Sequence, residues 1–70
     1  MSHYQTQIAA ILADSGRTAD PRLVEAFMRD EFGTLDALDP DEFAAEAREA
    51  ADMVRFHRGT AELIADSMGI

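Results

Sequence analysis

Apolar positions recur along this chain at helical spacing. Tyr4, Ile8, Ile11 and Leu12 fall at i, i+4, i+7 and i+8, one stripe of a helix. They predict a first helix over residues 2–15. Gly16 is its natural stop, because glycine enters the left-handed cap conformation without strain. Asp20-Pro21 marks the next start: a carboxylate there accepts from open backbone N–H groups, and proline suits the first helical position. Leu23, Val24, Phe27 and Met28 make the apolar stripe of this second helix. Arg22, Glu25 and Arg29 make its solvent face, with Glu25 and Arg29 pairing at i, i+4, and Gly33 ends it.

Residues 34–38 read as a tight connection or a single helical turn, capped by Thr34, with Leu35 and Leu38 pointing inward. The third helix opens on Asp39-Pro40-Asp41-Glu42, where Asp39 with Glu42 three positions on is a capping box. Its alanine-rich run favours helix to about His57, with Phe43, Ala47, Ala50 and Val54 buried and Ala44 and Ala51 flanking them. Gly59 is the expected stop. A short fourth helix is expected to be capped by Thr60, to pack through Leu63, Ile64 and Met68, and to end at Gly69 with Ile70 closing against it. No period-two stretch rich in β-branched residues predicts a strand. The expectation is an all-α fold: one domain over residues 1–70, a compact bundle of three main helices plus a short C-terminal helix.

Length sharpens this picture. A 70-residue chain buries only ~60% of the surface it exposes when unfolded. With no cysteine, disulfides and thiolate zinc sites are excluded, so stability falls to helix packing or self-association. The longest apolar run, residues 8–13, is too short to span a bilayer. Met1-Ser2-His3-Tyr4 lacks the blocks of a signal peptide, so a cytoplasmic location is expected. All six basic residues are arginine and 13 residues are alanine, a pairing that points to a GC-rich bacterial or phage genome.

Charge placement bears on function. The net charge is -8, which opposes direct binding to nucleic acid or to an anionic membrane and suits a basic protein partner. Residues 30–52 hold nine acids (Asp30, Glu31, Asp36, Asp39, Asp41, Glu42, Glu46, Glu49 and Asp52) against one base, Arg48. The remaining five acids and five arginines cancel, so the whole net charge lies in this segment. Glu42, Glu46 and Glu49 share one helical face, which reads first as a solvated surface and second as a partner-facing one. Met53 and Phe56 project near the same face, away from the Phe43/Val54 stripe. The expectation is that the fourth helix folds back and covers them. Bordered by acids and left open, they would instead suit a protein interface. Glu31 lies on the Val24/Phe27 side of the second helix, and fraying at the helix end is expected to carry it to water.

Motifs that carry chemistry are missing. His3 and His57 stand 54 residues apart, with no cysteine or second histidine at metal-ligand spacing, and there is no calcium-loop pattern. Ser2, Ser15 and Ser67 lack elbow or triad context. A four-helix domain this small is expected to have little room for a ligand pocket. No catalytic, metal or cofactor-binding residue is therefore assigned, no cofactor is expected, and the chain reads as a non-enzyme. His57 reads as a helix-end residue near free carbonyls.

The stretch Val24-Glu25-Ala26-Phe27-Met28-Arg29, then Phe32-Gly33-Thr34-Leu35-Asp36-Ala37-Leu38 and Phe43, resembles a group of short bacterial and phage proteins without an assigned activity. In that group an aromatic-Met-Arg helix runs into a Gly-Thr-Leu-Asp turn. Ser67-Met68-Gly69-Ile70 is similar to the group's closing residues. The shared motifs are structural, so no activity and no site residue carries over; a phage or prophage accessory or regulatory protein is the expectation. The leading expectation is a non-enzymatic protein–protein interaction module docking through Glu42, Glu46, Glu49, Met53 and Phe56. One alternative is an acidic nucleic-acid mimic that blocks a DNA- or RNA-binding protein. Another is a structural homodimer whose apolar stripes pair between chains. A helix-turn-helix DNA binder is disfavoured because its candidate recognition helix, the third, is acidic.

Overall fold

A computed structural model describes residues 2–70. Among the described residues there are four α-helices, α1 (His3–Asp14), α2 (Pro21–Phe32), α3 (Pro40–Phe56) and α4 (Arg58–Met68), a 3-10 turn at Leu35–Ala37, and no strand. The all-α architecture is the expected one. No helix among these residues is long and apolar enough to cross a membrane.

The helix starts follow from side-chain capping. Ser2 Oγ accepts from the Gln5 N–H at 3.1 Å, Asp20 Oδ1 from the Arg22 N–H at 2.9 Å, and Asp39 Oδ1 from the Glu42 N–H at 2.9 Å. Glu42 returns the bond by accepting from the Asp39 N–H at 3.4 Å, which completes the capping box. Two ends are glycine closures. After α1, the Arg17 N–H donates to the Leu12 carbonyl at 2.8 Å and the Gly16 N–H to Ala13 at 3.3 Å. After α4, the Ile70 N–H donates to Ala65 at 3.0 Å and the Gly69 N–H to Asp66 at 3.2 Å. Both patterns are Schellman motifs, with Gly16 and Gly69 at positive φ.

Three local expectations are corrected. Thr34 makes no side-chain cap to the 3-10 turn. There the chain reverses instead through Gly33, at φ 75° and ψ -82°, with the Thr34 N–H donating to the Phe32 carbonyl at 3.0 Å, a γ-turn open to glycine because of its positive φ. Gly59 does not stop α3, and Thr60 does not cap α4. The break falls at His57 (φ -133°, ψ 44°), which ends α3 and starts α4 without a side-chain cap. A single residue thus forms the elbow, and Gly59 sits inside the first turn of α4.

α2 is the central element, with α4, α3 and α1 all packed against it and α4 most extensively. The core gathers Ile8 and Leu12 from α1, Leu23, Val24, Ala26 and Met28 from α2, Leu35, and Phe43, Ala47, Ala51 and Val54 from α3. α4 adds only Ala61 and Ala65 as buried residues. Small side chains let it lie close along α2, where Arg22 holds its end by donating to the Ile70 backbone oxygen at 2.6 Å and to Asp66 at 2.8 Å. Leu63, expected to pack inward, is 72% exposed.

The central position of α2 also overturns the placement of Glu25. Expected on a solvent face, it is 2% exposed. Its Oε1 accepts from Ser2 Oγ at 3.2 Å and Gln5 Nε2 at 2.9 Å, while its Oε2 lies 3.9 Å from Arg29 Nη1. A buried carboxylate is costly unless paired and hydrogen-bonded. Here the first turn of α1 and the next turn of α2 supply both, so this acid fastens α1 to α2.

Candidate functional site

Glu42, Glu46, Glu49, Met53 and Phe56 follow one another along α3 at spacings of four, three, four and three, which keeps all five on one face. The buried residues Phe43, Ala47, Ala50 and Val54 repeat the same spacing one position later. The candidate face is therefore the flank next to the core, about 100° around the helix from it. Proline at the first position, the capping box and the alanine-rich sequence hold this helix for 17 residues.

The two apolar members are open. Phe56 is 77% exposed and Met53 47%, so the expectation that the fourth helix covers them is corrected. The reason is the direction of the elbow. From His57, α4 turns onto α2 and has only slight contact with α3, so the end of α3 has no helix above it. The Arg55 guanidinium lies 6.0 Å from the Phe56 ring centroid, within reach of a cation–π attraction.

The acidic members differ from one another. Glu42 and Glu49 are exposed and Glu46 is half-buried. Glu42 is committed to the capping box, and hydrogen bonds from Glu42, first from its backbone, hold the Asp39 carboxyl below the usual range. The Glu46 carboxyl is pushed up, first by partial loss of water and then by repulsion from Glu49, Glu31 and Glu42. Glu31 is exposed, though not by fraying as expected, since α2 continues through it to Phe32, and it adds its charge from α2 to the same acidic field.

Other acids of the segment are engaged elsewhere. Asp52 Oδ1 and Oδ2 accept from Arg17 Nε and Nη2 at 3.1 and 3.2 Å, and this pairing lowers the Asp52 carboxyl. Asp36 accepts from the Tyr4 hydroxyl, whose pKa rises because that bond opposes ionisation. Tyr4 in turn stacks on Phe43 with centroids 6.1 Å apart.

Two open grooves, of about 460 and 500 Å3, flank α3, more room than the length of the chain suggested. The first lies between residues 16–20 and the C-terminal half of α3, with Arg17, Arg55 and Arg58 on it. The second is lined by Tyr4, Ile11, Leu35, Leu38 and Phe43, with His3 and Asp36 on its border. Among the described residues no three His, Asp or Glu side chains are placed to hold a metal ion. His3 is hydrogen-bonded to Gln7 at 2.8 Å, and His57 is exposed at the elbow.

Reading the sequence by stripes missed Glu25, the Arg17–Asp52 pair and the openness of Leu63. The first two join residues 20 to 35 positions apart, and no local pattern announces them. A signal for the third was present: Ala61 and Ala65 at i, i+4 offer α4 an alternative, smaller packing face. Comparison with known protein families, with characterised proteins and with solved structures finds no match to this chain.

Proposed function

We propose that the chain is a non-enzymatic protein–protein interaction module, an accessory or regulatory protein of bacterial or phage type, that docks through the open face of α3. The observation that carries this reading is the exposure of Phe56 and Met53 in line with Glu49, Glu46 and Glu42. An isolated exposed apolar residue is ordinary. An aromatic residue and a methionine bordered by charge resemble the anchor and rim of an interface. The partner that complements this face is a protein surface with an apolar pocket for Phe56 and basic residues placed about 10–20 Å along from it, the distance that seven to fourteen helical residues span. Acidic character would speed encounter with such a surface, and the aromatic anchor would set the lifetime of the complex.

The experiment is affinity capture followed by quantitative binding of the captured protein to wild type, Phe56→Ala and Glu46→Gln/Glu49→Gln. Phe56→Ala is expected to weaken binding at least about tenfold, as an interface anchor does, and to leave helicity unchanged. The double Glu variant is expected to reduce the association rate and its salt dependence. Full binding by Phe56→Ala would sink the reading.

A second reading, the acidic nucleic-acid mimic, is favoured by Glu31 joining Glu42, Glu46 and Glu49 across two helices. It requires binding that collapses with added salt and is indifferent to Phe56. A homodimer would declare itself by sedimentation as a concentration-dependent mass that Phe56→Ala halves.

A further inference from the structure

In a chain of net charge -8, Arg17, Arg55 and Arg58 gather on the single groove between residues 16–20 and the end of α3. Each has guanidinium edges to spare. Arg17 is held by Asp52 through Nε and Nη2, which leaves its Nη1 side uncommitted. Arg58 bonds Glu62 through Nε at 3.2 Å, which leaves both terminal nitrogens. Arg55 has no ion-pair or hydrogen-bond partner among the described residues beyond its approach to the Phe56 ring. Asp52 thus orients Arg17 along one edge for a second acceptor on the other, and the single Glu62 contact leaves the end of Arg58 open to one. The acids on the groove, Asp52 and Asp20, are spent on Arg17 and on the Arg22 backbone N–H. The apolar residues of the groove are Ala51 and Val54, both buried, and Ala19. The Thr18 hydroxyl is a further donor on its border.

We propose that this groove is a binding site for a small phosphate monoester, the phosphate held between Arg17, Arg55 and Arg58 and the organic part resting on Ala19, beside the edges of Ala51 and Val54 that reach the groove. Planar, always-charged guanidinium groups match the paired oxygens of a phosphate dianion. A volume of about 460 Å3 lies within the range of small-ligand sites and admits a ligand of mononucleotide size. The site adjoins the α3 docking face, Arg55 lying 6.0 Å from the Phe56 ring centroid, but does not rest on that reading.

The test is a titration of the 15N-labelled full chain with adenosine monophosphate at constant ionic strength, with citrate as the carboxylate comparison. The readouts are the Thr18 amide and the Nε–H signals of Arg17, Arg55 and Arg58. Saturable shifts at these groups are expected, with Kd raised about tenfold or more in Arg55→Gln and in Arg58→Gln. Both are exposed positions, and an unchanged melting temperature verifies each fold. Arg48→Gln removes the same charge from a residue that does not line the groove, about two turns before Arg55 on α3, and is expected to leave Kd within about twofold, the size of an ordinary surface effect. Shifts that never saturate, equal tightness for citrate, or equal weakening by Arg48→Gln would each overturn the proposal.

Discussion

Helix α3 carries two stripes of the same spacing, one residue apart, with opposite fates. Phe43, Ala47, Ala50 and Val54 lie in the core, while Glu42, Glu46, Glu49, Met53 and Phe56 run along the open flank. Over the first half of the helix, composition alone separates the two, because acids stand beside Phe43, Ala47 and Ala50. Over the second half it does not: Met53 and Phe56 are as apolar as Val54. There the direction taken by α4 decides. By turning onto α2 at His57 it leaves the second half of the flank uncovered. The apolar character of that half thus serves neither the core nor the caps, and on this feature the proposed docking reading rests.

The largest test of the contrast sets two phenylalanines against each other. Phe43→Ala removes a ring that packs in the core and stacks on Tyr4, and is expected to cost about 3–5 kcal/mol. A core this small supplies only ~3–5 kcal/mol in total, so the variant should be largely unfolded at 25 °C by circular dichroism. Phe56→Ala, on the open stripe, should stay within ~0.5 kcal/mol of wild type in urea denaturation, as exposed positions do. Comparable losses at the two sites would show that Phe56 belongs to the core and would remove the docking face.

The next test concerns the buried acid. Glu25→Ala strips the partners from Ser2, Gln5 and Arg29 together. It should cost about 1–3 kcal/mol, from the lost hydrogen bonds to a charged group and the space left where a buried side chain stood, and hydrogen exchange should speed first in α1. Glu49→Ala, an acid on the open stripe, should be near neutral. If the two behave alike, Glu25 reaches water and the α1–α2 tie does not hold.

How far the sequence foretold the fold depends on whether a boundary is written in side-chain chemistry. Asp20-Pro21, Asp39-Pro40 with Glu42, Gly16 and Gly69 each act within a few residues, and each was legible. The α3–α4 boundary was not. His57 breaks the helix with no proline and no glycine in a left-handed conformation, while Gly59, which looks like a stop, keeps a helical conformation. Glu25 was hidden for a different reason. A stripe analysis treats a helix as half-wet, but α2 is enclosed by α1, α3 and α4, so Leu23, Val24, Glu25 and Ala26 are buried in succession. Of the candidate site, the common face was legible from spacing alone. Its openness was not, because that depends on where the chain goes after the helix ends.

Gly59 gives a smaller effect of opposite sign. A Cβ added there meets nothing within 4 Å, and φ is not positive. Gly59→Ala should therefore stabilise the domain by about 0.5–1 kcal/mol through helix propensity alone, read as a raised melting temperature. If the elbow must flex, the same variant would lose partner binding while gaining stability, which would connect the openness of Phe56 to motion at His57.

The smallest effect lies in the acids of the open stripe, and it can be isolated by pH. The Glu46 carboxyl is raised above its ordinary value of 4.5 in the folded chain, so between that value and the raised one the folded state binds more protons than the unfolded. By linkage, stability falls as pH rises through this window, and the penalty is complete above it. Glu46→Gln mimics the protonated group and carries no such penalty. The variant should match wild type below the window and exceed it at neutral pH, the difference growing across the interval and then levelling. Asp39 and Asp52, both lowered, act in the other direction: their contribution is lost as pH falls through their depressed values, in wild type and variant alike, so it cancels from the comparison. Salt divides what remains. Repulsion from Glu49, Glu31 and Glu42 is screened when the Debye length shrinks to about 3 Å in 1 M salt, whereas partial burial, the larger cause, is not. A neutral-pH difference that survives 1 M salt in part is the expected result. A difference that vanishes entirely would make Glu46 a purely solvated charge, and the acidic half of the stripe would then be a coat for solubility with Phe56 and Met53 left to bind alone.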